Sequence, residues 1–108
     1  MTDTAKRMYG PAQPGTSTTT LYTVPALTTS IVRNIHVANT ATVAKTITFG
    51  FGGTAATAAN LFAGAVSIPA NTTYDWSGFL VMIAADTITA LQETATSCTV
   101  IISGVEVS

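Results

Sequence analysis

Ile31-Val32-Arg33-Asn34-Ile35-His36-Val37 decides the fold class of this chain. One face of that run carries Ile31, Ile35 and Val37, and the other carries Asn34 and His36. A period of two belongs to an extended strand with one wet side, not to a helix. The next run repeats the pattern, with Val43, Ile47, Phe49 and Phe51 on one face and Ala44, Thr46, Thr48 and Gly50 on the other, while Lys45 interrupts the apolar face near its start. Asn39-Thr40-Ala41-Thr42 between the two reads as a hairpin loop.

From Thr19 onward, short β-branched or alternating runs are separated by Gly, Pro, Asn or Asp, the pattern of a sandwich or barrel. Strands are expected at 19–24, 30–38, 43–51, 64–68, 74–83, 86–92 and 97–107. The expected fold is all-β, a small antiparallel β-sandwich of jelly-roll-like kind over residues 19–108, with an extended N-terminal arm over residues 1–18. Residues 54–62 have locally high helix propensity through their alanines, but the run is short, and a single turn or an irregular crossover between sheets is expected there. Val24-Pro25-Ala26-Leu27-Thr28-Thr29 and Ile68-Pro69-Ala70-Asn71-Thr72-Thr73 share one pattern before a strand, which suggests two related corners.

The arm contains Gly10, Pro11, Pro14 and Gly15 with almost no apolar periodicity, so its sequence specifies no core packing. Such a segment either frays or orders across a neighbour. Lys6, Arg7, Met8 and Tyr9 are its candidate partner-binding residues. Tyr74 and Trp76, which share a face at the start of the most apolar strand, complete the candidate set, as core or interface filling or as a carbohydrate platform.

Composition narrows the function. The chain has 108 residues, 47% hydrophobic, so one domain with a real core is affordable in size. Charged residues make up only 8%, against roughly 25% in ordinary soluble domains. With a mean hydropathy of +0.45, this implies that other subunits cover part of the surface, in a homo-oligomer expected to be a trimer. A net charge of -1 without a basic stripe argues against nucleic acid as partner. The longest apolar run, Phe79 to Ala85, is far short of the ~20 residues of a membrane helix. No apolar segment follows Lys6-Arg7, so no secretory signal is expected and the host cytoplasm is the expected site of assembly.

Chemistry is sparse. His36 has no carboxylate near it in sequence, Cys98 stands alone, and Asp75, Asp86, Glu93 and Glu106 are dispersed, so neither a catalytic set, a metal site nor a cofactor is expected. Phe49-Gly50-Phe51-Gly52-Gly53 has no Lys-Ser/Thr sequel and fails as a phosphate loop; its glycines suggest a bulge or turn.

Leu21-Tyr22-Thr23-Val24-Pro25-Ala26, Ile31 through Thr40, Ile68-Pro69-Ala70-Asn71-Thr72-Thr73, Ala85-Asp86-Thr87-Ile88 and Ile102-Ser103-Gly104-Val105-Glu106-Val107 together resemble the small β-sandwich structural proteins of tailed bacteriophages, over roughly residues 20–108. Those proteins usually place Gly before the Asp of the Asp-Thr-Ile turn, where this chain has Ala84-Ala85. The resemblance implies a virion structural protein with no catalytic residues. A capsid decoration or cement protein on the capsid surface, bound to the major capsid protein, is the first expectation. A tail, collar or baseplate component, or a carbohydrate-binding host-attachment module, is the alternative.

Overall fold

A computed structural model describes the backbone of residues 3–51, 61–94 and 96–108, with side chains for all of these except 61–65. Eight strands follow in chain order: β1 (Asp3–Ala12), β2 (Thr19–Thr23), β3 (Thr29–Asn39), β4 (Lys45–Phe51), β5 (Leu61–Ile68), β6 (Thr73–Met82), β7 (Thr87–Gln92) and β8 (Cys98–Val107). They form two four-stranded sheets, ordered β1-β8-β3-β6 and β2-β7-β4-β5, and every neighbouring pair is antiparallel. Pairing first with last, second with seventh, third with sixth and fourth with fifth is a long hairpin rolled into a sandwich, the jelly-roll topology. The fold is thus an all-β antiparallel sandwich.

Two local expectations change. The segment expected as an arm holds β1, which pairs along β8 from Asp3↔Val107 to Ala12↔Val100. An edge strand bonds on one side only, so it tolerates Pro11 and the left-handed Gly10 that read as strand breakers. At Gly10 a Cβ would fall 2.0 Å from the Val100 carbonyl oxygen, so only glycine permits the pairing. The loop after Asn39 is not a hairpin, because β3 and β4 lie in different sheets. Asn39 explains this: buried at 2% exposure, its amide donates to the carbonyls of Val43 and Ile68 at 3.1 and 2.9 Å and its oxygen accepts from Ala41 N–H at 2.9 Å. β4 and β5 pair within one sheet. A turn or crossover was expected over residues 54–62, of which 54–60 lie outside the described residues and Leu61 and Phe62 begin β5.

The core is the seam between the two inner faces, filled by Val32, Ile35, Val37, Val100 and Ile102 from the first sheet and Ile47, Phe49, Ile68 and Ile88 from the second. Burial of each such side chain contributes about 1.5–3 kcal/mol. The deciding run 31–37 is not one uninterrupted alternation. A register shift between Val32 and Asn34 puts Val32 inside with Ile35 and Val37, and turns Ile31 outward. Between matched inward residues, β8 spends Ser103, β3 spends Arg33 and Asn34, and β6 spends Ser77, Gly78 and Phe79. The strands lengthen step by step toward β6, which bends the sheet there as bulges do. Trp76 packs over Gly78, where a Cβ would touch its Cζ2 at 3.4 Å, an ordinary contact.

The two related corners are real and alike. Their fourth residues, Leu27 and Asn71, have φ of 58° and 55°, and both corners lead from the second sheet to the first. The Asp-Thr-Ile turn has left-handed geometry without glycine: Ala85 has a φ of 73°, its N–H bonds Val24 O at 3.1 Å, and Asp86 Oδ2 accepts from Ile83 N–H at 3.0 Å.

Candidate interaction surface

Strand β6 is an edge of the first sheet and alternates strictly, so Tyr74, Trp76, Leu80 and Met82 point inward and Thr73, Asp75, Ser77, Phe79 and Val81 point out. Phe79 is 70% exposed, Val81 59%, and Ile83, just past the strand, 64%. Register extends this patch inward: Val81 faces Ile31, Ile31 faces Val105, and Val105 faces Ala5, one small or apolar residue from each strand across the outer face. Arg33 lies with its guanidinium carbon 4.3 Å from the Phe79 ring centroid, a cation–π contact. The sequence hid this patch because Phe79 through Ala85 is apolar at every position, and an uninterrupted run does not say which face is wet.

The six expected binding residues do not form one surface. Met8 is buried at 7% exposure in the core, over Gly104, where a Cβ would meet its Cε at 2.8 Å. Tyr9, Tyr74 and Trp76 are half-buried and pack against the same core, so neither aromatic of β6 offers an open platform for a sugar. Lys6 and Arg7 are exposed, and Lys6 pairs with Glu106 at 3.2 Å.

The dispersed carboxylates acquire partners through the fold. Register sets His36 opposite Asp75, and His36 Nδ1 lies 2.6 Å from Asp75 Oδ1 on the outer face of the first sheet. No cavity adjoins that pair among the described residues. Glu93 accepts from Thr46 N–H at 2.8 Å. Glu106 joins the two sheets: it accepts from the hydroxyl of Tyr22, a β2 residue, and from Lys6 of β1. Because Tyr22 donates there, Ser30, buried on β3, donates to the Tyr22 oxygen at 2.7 Å. Burial and the Glu106 bond push the Tyr22 phenol up to about 12, and the Tyr22 and Lys6 bonds hold Glu106 below its ordinary range. Burial raises the Cys98 thiol, which keeps it in the unreactive form.

A second buried hub, Gln92, donates to Pro14 O at 2.6 Å and accepts from Ser97 Oγ and Cys98 N–H at 2.9 and 2.8 Å. It fastens the β1–β2 link to the turn before β8. Sequence reasoning missed Asn39, Gln92 and the Tyr22 cluster, because polar residues at strand ends are ordinary and only their burial marks them.

No protein-family model matches the chain, and no curated protein matches it. A solved structure, that of infectious bursal disease virus Gt strain, is similar at a TM-score of 0.44 and 11% identity, over 97% of this chain and 29% of that one.

Proposed function

We propose that this chain is a structural protein of a virion, a capsid decoration or cement protein that works by docking on neighbouring subunits and not by catalysis. The outward apolar patch of Phe79, Val81 and Ile83 carries the reading, because a monomer with 8% charged residues has little to keep such a patch wet. The motifs that resemble small sandwich proteins of tailed phages supply the context, with the major capsid protein as partner and a homo-oligomer as the docking form. A protein that binds the assembled shell and not its separated subunits stabilises the shell by mass action.

The test is co-sedimentation of purified protein with expanded capsids of its own particle that lack it, together with their resistance to heat. Saturable binding with a raised disruption temperature is expected. Absence of binding overturns the decoration role and moves the protein to the tail, collar or baseplate.

A further inference from the structure

We infer that the free edge of β6 pairs with β6 of a second copy of this chain, antiparallel about a two-fold axis at Ser77. The inference concerns self-association alone and stands whether or not the protein docks on a shell.

The two edges of the first sheet are treated differently. β1 carries Asp3, Lys6, Arg7, Gly10 and Pro11 and two register shifts, the devices that keep an edge from pairing further. β6 is ten residues long, with no proline, no cation, Asp75 as its one charge and a single register shift, on its β3 side between Ser77 and Leu80. From Asp75 onward its outward side chains become more apolar toward Val81, so the edge invites a strand where β1 repels one.

Charge and shape select a second copy as that strand. The chain carries a net charge of only -1, so two copies approach without general repulsion. Among the described residues Arg33 forms no ion pair, and it sits on Phe79. In antiparallel pairing, residues directly opposite share a face, so a two-fold axis must pass through one residue of each strand. An axis at Phe79 would set two Arg33 guanidiniums side by side. One at Val81 would leave a short overlap before the turn at Ala84-Ala85. The axis at Ser77 engages Thr73 through Val81, brings Asp75 opposite Phe79 of the second copy with its Arg33, and sets bulky Trp76 opposite Gly78. Each contact occurs twice, as isologous pairing requires. The result is a continuous eight-stranded sheet and a dimer, in place of the trimer expected of a decoration protein.

The experiment is sedimentation equilibrium on the full chain, with circular dichroism to establish that each variant folds. Wild type is expected to dimerise. Ser77→Lys sets two ammoniums across the axis and is expected to weaken the dimer by about tenfold or more, whereas Val43→Lys, at an exposed apolar site outside the strand, is expected to leave it intact. Ser77→Cys is expected to form a disulfide-linked dimer on mild oxidation, since opposed strand residues lie within bridging distance and Cys98 is buried. A monomeric or trimeric wild type overturns the inference, as does a dimer that folded Ser77→Lys leaves unchanged. Cross-linking through Val81→Cys but not Ser77→Cys overturns the register.

Discussion

At the scale of single residues, the chain holds left-handed backbone where its side chains do not favour it. Ala85 and Leu27 both have positive φ, and an L side chain in that region costs about 1–2 kcal/mol. Ala85 has hydrogen-bonded neighbours that fix the turn, so relief is available from glycine without loss of contacts. Ala85→Gly is expected to stabilise the protein by about 1 kcal/mol, read as a higher urea midpoint with unchanged slope. The sequence alone flagged this position as a departure from the glycine of the phage proteins that its motifs resemble. The φ of 73° shows left-handed backbone there.

At the scale of elements, β1 matters most, since its sequence reads as linker and its position makes it part of the sandwich. It covers β8 along its length and brings Met8 into the core, so it is not dispensable. Deleting residues 1–12 uncovers the long, apolar β8 as a new edge and empties the Met8 site, itself a loss of about 2–5 kcal/mol. The truncated chain is expected to be unfolded or aggregated, measured by circular dichroism and sedimentation. A truncated chain that stays folded and soluble would show that β1 is the detachable arm its composition suggests. The strands with clear alternation, β3 and β4, were legible because each has one face in the core. β1 was not, because an edge strand capped by glycine and proline carries little periodicity of its own.

At the scale of the whole molecule, the Tyr22–Ser30–Glu106–Lys6 cluster spans both sheets and ties stability to pH at two ends. Glu106 is lowered from its ordinary 4.5, so its contribution is present above about pH 4.5 and is lost as pH falls through the lowered value. Tyr22 is raised from 10.0 to about 12, so its contribution is present below pH 10 and is lost as pH rises from there through about 12. Urea midpoints of wild type and Tyr22→Phe, compared across pH, are expected to differ by about 1–3 kcal/mol near neutrality, since the buried Ser30 hydroxyl loses its acceptor. The gap is expected to narrow at both extremes. A gap constant from acid to alkali would mean that the cluster does not couple to protonation.

The sequence by itself determined the class of fold, seven of its eight strands and the two matching corners, because alternation and turn residues are local and each strand spells its own. Only the tertiary structure decided that residues 3–12 form an edge strand, that Ile31 faces outward while Ile35 and Val37 face in, and that β3 and β4 belong to different sheets. It also decided which side of the apolar stretch around Phe79 and Val81 is left in water, and which distant residues meet at Tyr22, Asn39 and Gln92. Pairing within a sheet joins residues as far apart as Asp3 and Val107, and no local pattern encodes which strand will lie beside which.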